Sequence, residues 1–189
     1  MENSSPERQP ETPHATLRWS LLLGSAAFVF AIDQITKAWV AANLQIGETI
    51  TPIPAIADFF AITRSANRGA AFSLLPQAGD LFLIIALVMM VGIFIFYRRM
   101  TEARWLERIA LGLLLGGVAG NALDRIRLNY VVDFVHLQLR PFISNVSNFA
   151  DHAIVLGMGI LFVTQWFAGR KAPTKPEIKV SDEEKNLTP

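Results

Sequence analysis

The sequence predicts an α-helical integral membrane protein with four transmembrane helices and a small strand-and-turn excursion outside the membrane. Hydrophobic residues make up 52% of its 189 residues, whereas charged residues make up only 17%. Soluble domains carry about 25% charged residues. In addition, four apolar runs are long enough to cross a hydrocarbon layer of about 30 Å as helices. Together these observations place the chain in the membrane class.

The charge and cysteine content excludes several functions. The 17 basic and 16 acidic residues leave a net charge of +1, which gives no indication of a nucleic-acid partner, and none is expected. The chain has no cysteine, which excludes disulfides, thiol nucleophiles and thiolate metal sites. Any catalysis must therefore come from other groups, and no cofactor is expected.

The predicted spans have recognisable boundaries. They cover residues 20–40, 81–97, 105–123 and 150–168, and the first is interpreted as an uncleaved anchor. Residues 17–168 form the predicted membrane domain, with an extramembrane excursion at about 43–76. Polar tails at 1–16 and 169–189 are expected to be disordered. Because four spans return the chain to its starting side, the basic connection after the second span predicts that both termini are cytoplasmic: Arg98, Arg99, Arg104 and Arg108.

Two polar features lie near the opposite face, and a glycine stripe lies along the third span. Asp33 and Lys37 share one helix face, with Asp33 roughly 22 Å along the first span. They form either an ion pair that locks helices together or support for a site. Asn67 is either a turn residue next to a glycine or an amide that binds an extended substrate backbone. Gly112, Gly116 and Gly120 predict close helix packing.

Asp133 and Asp151 are the candidates for chemistry, because each is embedded among apolar residues where an ionised carboxylate is costly. Two neighbouring carboxylates can share a proton and activate a water for attack on a peptide carbonyl. Asn148, three residues before Asp151, predicts a helix N-cap that favours the anion at Asp151. Asp133 is then the expected proton carrier.

Other interpretations of these residues exist. Asp151 can be a capping residue only, while Asp133 pairs with Arg125 or Arg127. A metal site at His136 and His152 lacks a zinc-protease spacing, and a Ser–Lys peptidase would have to use Lys37. A membrane carrier would require polar residues toward the cytoplasmic side, but 81–96 and 154–163 contain none. A structural subunit would leave the clustered polar residues without a purpose.

Five motifs occur in one order between residues 17 and 168, and together they resemble the bacterial lipoprotein signal peptidases, the signal peptidase II family. They are Asp33-Gln34-x-Thr36-Lys37, Asn67-x-Gly69-Ala70-Ala71-Phe72, Gly116-Gly117-x-x-Gly120-Asn121-x-x-Asp124-Arg125, Val131-Val132-Asp133-Phe134 and Asn148-x-Ala150-Asp151.

The resemblance implies an aspartyl endopeptidase of the bacterial inner membrane. It would remove the signal peptide from diacylglyceryl-modified prolipoproteins by cutting just before the lipidated cysteine. The family fold adds a small extracytoplasmic β-rich cradle and a short interfacial helix to the four transmembrane helices. Members are blocked by the cyclic peptide globomycin, and the chain is expected to act as a monomer among membrane lipids.

The resemblance also assigns site residues. Asp133 and Asp151 correspond to the catalytic dyad, and no metal ligand is implied. The site-lining, substrate-binding or supporting positions are Asn67, Gly69, Asn121, Arg125, Asn148, Asp33, Lys37 and Asp124. Two residues depart from the family pattern: Ser147 stands where an aromatic residue is common, and His152 where a small or apolar residue is usual. A protonated His152 would favour the anionic dyad.

Overall fold

A computed structural model describes residues 13–69, 79–100, 104–139 and 143–169. Its four long helices are α1 (Pro13–Asn43), α2 (Gly79–Arg99), α3 (Trp105–Leu128) and α4 (Phe149–Gly169). Its strands are β1 (Thr49–Ile50), β2 (Phe60–Asn67), β3 (Val131–Leu139) and β4 (Ile143–Ser147), and a 3₁₀ turn covers Pro54–Ile56. All four long helices have the length and composition to cross a membrane, which confirms the four predicted spans.

Helix α3 is the central helix of the bundle and packs against the other three. In its most apolar window 61% of the residues are buried, against 11% to 22% in the other helices. Glycines make this position possible, since a Cβ on Gly112 or Gly116 would overlap backbone carbonyl oxygens of α1. Gly117 faces α4 in the same way. The predicted packing role of the glycine stripe is confirmed.

The four strands form one antiparallel sheet in the order β1-β2-β3-β4. The predicted excursion supplies β1 and β2. Strands β3 and β4 come from a segment that the sequence analysis did not assign to a sheet. In the β2–β3 pair Asn67 lies opposite Val131 and Ser65 opposite Asp133. This register brings the end of β2 beside Asp133.

The sheet is attached to the end of α1 by a small apolar core that includes Val40, Val132 and Phe134. Because side chains alternate along a strand, Val132 and Phe134 point into this core while Asp133 points to the other face. Arg64 on β2 strengthens the attachment by donating to the carbonyl oxygens of Ala41 at 3.0 Å and Leu44 at 2.7 Å. A cation at a helix C-terminus is favourable there.

The element ends differ from the prediction in two places. Helix α1 begins at Pro13, inside the segment predicted as a tail, where the missing N–H of proline costs the first helical turn nothing. Helix α3 continues past residue 123 and ends at Leu128, and the C-cap residue that follows, Asn129, is left-handed with a φ of 61°. The expected interfacial helix near 73–76, and most of both predicted tails, lie outside the described residues.

Candidate active site

Asp133 and Asp151 meet at the end of the bundle that carries the sheet. Asp133 is on β3 and is only 2% exposed, whereas Asp151 is half-buried in the first turn of α4. Asparagine side chains surround the pair and connect the two carboxylates by hydrogen bonds. The structure therefore brings together the two candidates that the sequence analysis selected.

Two amides donate to the Asp133 carboxylate. Asn67 Nδ2 lies 2.8 Å from Asp133 Oδ2, and Asn148 Nδ2 lies 2.6 Å from Asp133 Oδ1. The oxygen of the Asn67 amide accepts the Gly69 backbone N–H at 3.0 Å. Asn67 thus forms the predicted turn with Gly69, and its NH₂ group donates to Asp133. Its binding to a substrate backbone stays a prediction.

Asp151 is held by the predicted cap. Its backbone N–H donates to Asn148 Oδ1 at 2.9 Å, and the Asn148 backbone N–H reaches back to Asp151 Oδ2 at 3.4 Å. This reciprocal pair is a capping box and confirms the predicted N-cap. Asn121 Nδ2 also donates to Asp151 Oδ1 at 2.7 Å. Asp151 thus lies at the start of a helix, beside the free N–H groups of its first turn.

The environment of Asp133 favours its protonated form. Burial, and to a smaller extent the neighbouring charge of Asp151, raise the pKa of the Asp133 carboxyl to about 7. The hydrogen bonds from Asn67 and Asn148 and the charge of Lys37 act in the opposite direction. Near neutral pH the pair can therefore share one proton, with Asp133 as its carrier.

Behind the dyad lies a buried cluster of three charges. Lys37 Nζ is 2.8 Å from Asp33 Oδ2 and 3.0 Å from Asp124 Oδ2, and it donates to Asn121 Oδ1 at 2.8 Å. Asp33 accepts the Ala150 N–H of α4 at 3.0 Å. The cluster therefore both links helices and touches the site, so the two interpretations of the Asp33–Lys37 pair are not exclusive. Sequence reasoning missed Asp124 as the second partner of Lys37.

Arg125 does not pair with Asp133. Its guanidinium donates to Gly69 O at 3.1 Å and Asn121 O at 3.2 Å, and it lies 5.6 Å from the centre of the Phe82 ring. Arg127, the other proposed partner, is exposed. Arg125 instead fixes the turn after β2 to α3 beside the dyad. A cavity of about 160 Å³ opens there, lined by Asn67, Gly69, Asn121, Arg125, Ser147 and Asp151 among others.

The rival chemistries find little support in the described ranges. No group of three His, Cys, Asp or Glu side chains there has the geometry of a metal site. Lys37 Nζ contacts two carboxylates and donates to the Asn121 amide oxygen, so its three donors are directed at these acceptors and not at a serine hydroxyl. The two departures from the family pattern contact each other, since Ser147 Oγ lies 3.3 Å from His152 Nε2. Neither residue suggested that contact in the sequence.

Two carboxylates held by amides, at the end of a four-helix membrane bundle, define the class of a membrane-embedded aspartic peptidase. Comparison with known proteins agrees. The family model described as "Signal peptidase (SPase) II" matches residues 25–167. The chain belongs to this family and is accordingly a multi-pass membrane hydrolase of the aspartic peptidase type.

Relatives and solved structures support the same assignment. A lipoprotein signal peptidase of Desulfitobacterium hafniense is 40% identical over 143 residues, which is 76% of this chain and 91% of the relative. One from Geobacillus thermodenitrificans is 39% identical over 142 residues, 75% of this chain and 87% of the relative. Two bacterial membrane enzymes solved by the in meso method share the fold. The first, at 2.3 Å resolution, has a TM-score of 0.72 and 27% identity over 81% of this chain and 92% of its own. The second, at 1.9 Å resolution, has a TM-score of 0.66 and 28% identity over 75% of this chain and 89% of its own.

Proposed function

We propose that this enzyme removes signal peptides from diacylglyceryl-modified prolipoproteins by cutting just before the lipidated cysteine, with Asp133 and Asp151 activating a water. The observation that carries the proposal is the Asn148 side chain, which contacts both aspartates and ties them into one unit. The names of the relatives supply the substrate class. Asn67, Gly69, Asn121, Arg125 and Asn148 line or support the site, and Asp33, Lys37 and Asp124 hold it from behind.

The first step is the attack of water. Asp151, ionised at the helix start, takes a proton from the water as the water oxygen bonds to the peptide carbonyl carbon. Asp133, protonated, donates its proton to the carbonyl oxygen, where negative charge develops. The product of this step is a tetrahedral gem-diol, and the single dyad proton has changed from Asp133 to Asp151.

The second step breaks the peptide bond. The proton now on Asp151 goes to the departing nitrogen while the C–N bond breaks, and Asp133 recovers a proton from the collapsing gem-diol. The signal peptide leaves with a new carboxyl group, and the lipidated cysteine leaves with a free amine. The dyad returns to its starting state without a covalent intermediate.

The position of the dyad suits a lipid-anchored substrate. It lies where α1 and α3 end and α4 begins, at the level expected for the lipid–water boundary. A site farther out would require acyl chains to leave the lipid at about 0.8 kcal/mol per CH₂. We place the enzyme in the bacterial cytoplasmic membrane, with both termini cytoplasmic and the dyad near the extracytoplasmic face. We also expect it to act as a monomer and to be inhibited by globomycin.

The test is cleavage of a purified diacylglyceryl-modified prolipoprotein in detergent with a chelator present. The native chain should cut before the lipidated cysteine, whereas Asp133→Asn and Asp151→Asn should be folded and at least about 100-fold slower. Asp58→Asn is the matched control, because Asp58 is an exposed carboxylate on the connection before β2. Near-native activity of either dyad variant would show that this aspartate is structural. Failure of the native chain to cut would contradict the substrate assignment.

A further inference from the structure

The two hydrogen bonds that connect the charged cluster to the dyad through Asn121 run the same way, with each donor on the side of the cluster and each acceptor on the side of the dyad. Hydrogen bonds run from Lys37 to Asn121, and from Asn121 to Asp151. We infer that Lys37 is a positioning residue that fixes the orientation of the Asn121 amide, so that Asn121 presents its N–H group and not its oxygen to Asp151. This inference rests on the proposed function, in which Asp151 is the base.

The chemistry of the ammonium group carries the first step. A lysine ammonium has three donors and no acceptor. Here its three partners are Asp33 Oδ2 at 2.8 Å, Asp124 Oδ2 at 3.0 Å and Asn121 Oδ1 at 2.8 Å. Only the oxygen of the Asn121 amide can face such a group. The NH₂ of the same planar amide must therefore point the other way, and it lies 2.7 Å from Asp151 Oδ1.

Asn148 connects the same hydrogen-bond network to the second aspartate, Asp133. Its Nδ2 donates to Asn121 Oδ1 at 3.2 Å and to Asp133 Oδ1 at 2.6 Å, which uses both of its N–H groups. Its oxygen accepts the Asp151 backbone N–H. Lys37, which is only 3% exposed, thus begins a series of hydrogen bonds that ends on both carboxylates. Each aspartate faces amide N–H groups and no amide oxygen in this chain.

Removal of Lys37 would reverse the preference at Asn121. An amide turned by 180° keeps its shape, and its NH₂ would then face the carboxylates of Asp33 and Asp124, which would have lost their ammonium partner. Apart from the contact with Asp151, the turn gives up only the longer hydrogen bond from Asn148 Nδ2, at 3.2 Å. Its oxygen would face Asp151 and repel the anion that is needed as the base. The expected defect is in the chemical step and not in substrate binding.

Two substitutions separate this role from a general loss of charge. Lys37→Met and Lys37→Gln both remove the positive charge, but only glutamine keeps an N–H donor for Asn121 Oδ1. Met should lower kcat by roughly tenfold or more with little change in KM. Gln should remain within about threefold of native. Ser25→Ala is the control, since Ser25 is a polar contact of α1 with α3 away from the dyad.

Equal losses in the two variants, or near-native kcat in Lys37→Met, would overturn the inference. If either variant yields no folded protein, the same Met and Gln pair is compared in an Asp33→Asn background. The Asp33→Asn substitution removes the buried negative charge that would otherwise lose its Lys37 partner. The asparagine still has a side-chain oxygen that can accept the Ala150 N–H.

A readout without substrate separates this inference from the proposed function. The side-chain amide resonances of Asn121, assigned in ¹⁵N-labelled protein through their loss in Asn121→Asp, should be alike in the native and Lys37→Gln chains. They should move in Lys37→Met. Unchanged resonances in Lys37→Met would contradict the inference even where the native chain cuts the prolipoprotein. The expected shift would support it even where the native chain cuts nothing.

Discussion

Asn148 Nδ2 lies 2.6 Å from Asp133 Oδ1, so the residue that caps α4 also donates to the aspartate on β3. The other end of the same amide accepts the backbone N–H of Asp151. One side chain thereby joins a transmembrane helix to the sheet at the point where the two carboxylates meet. Its two functions can be separated by substitution.

Asn148→Asp keeps the capping oxygen and loses the donor to Asp133, whereas Asn148→Ala loses both. We expect Ala to lower the stability by about 1 kcal/mol through the lost cap, and Asp to lower it less through that cause. Both should reduce kcat by about 100-fold or more, because a hydrogen bond to the reacting carboxyl is gone. Thermal unfolding and prolipoprotein cleavage measure the two effects. Equal unfolding temperatures for Ala and native would contradict the cap as a source of stability.

The activity should fall as the pH rises through about 7, because the pKa of Asp133 is raised to about 7 and the proposed mechanism needs its proton. Asn67→Ala removes a hydrogen bond that lowers this pKa. The alkaline limb of kcat/KM should therefore move to higher pH in that variant. This limb reports the titration of Asp133 and Asp151 as a coupled pair. The control variant Asp58→Asn should leave its position unchanged. An alkaline limb that stays at the native position in Asn67→Ala would contradict the assignment.

The stability of the native chain should depend on pH through the same group. The pKa of Asp133 is about 7 in the folded protein and 3.8 for an unperturbed aspartate. Between these values the folded state binds more protons than the unfolded state, so the free energy of unfolding decreases as the pH rises. Asp133→Asn lacks this loss. From pH 4 to pH 8 the unfolding temperature of Asp133→Asn should therefore rise relative to that of the native chain. A constant difference between the two temperatures would contradict the raised pKa.

Gly120→Ala should disturb the charged cluster without removing any charge. A Cβ at this position would lie 2.5 Å from Asp33 Oδ2, so Asp33 would have to move away from Lys37 or from Ala150 N. We expect a stability loss of about 1–3 kcal/mol and lower activity. Gly159→Ala in α4 is the control, because nothing lies within 4 Å of a Cβ there. Native behaviour of Gly120→Ala would show that the cluster tolerates displacement.

Local features of this fold could be predicted from the sequence. The spans follow from hydropathy, and the Asn148–Asp151 cap follows from a spacing of three residues. The interpretation of Asp133 and Asp151 as a pair depended on their apolar neighbours and on the ordered motifs. Their catalytic roles stay a prediction until activity is measured.

Features that depend on distant parts of the chain could not be predicted. Asp124 is the second partner of Lys37 only because α1 and α3 approach closely along the glycine stripe. Strands β3 and β4 were missed because a short alternating segment between two spans is also compatible with a connection. The contact of Ser147 with His152 depends on how β4 enters α4, which neither residue reveals.

The two aspartates belong to separate parts of the molecule, Asp133 to the sheet and Asp151 to a membrane helix. A chain whose last helix is inserted but whose sheet has not yet docked carries two isolated carboxylates instead of a dyad. If the two aspartates act together as proposed, such a newly made chain would be inactive while it is still assembling in the bilayer. In the proposed mechanism, docking of the sheet that carries Asp133 beside α4 is therefore the folding step that completes the active site.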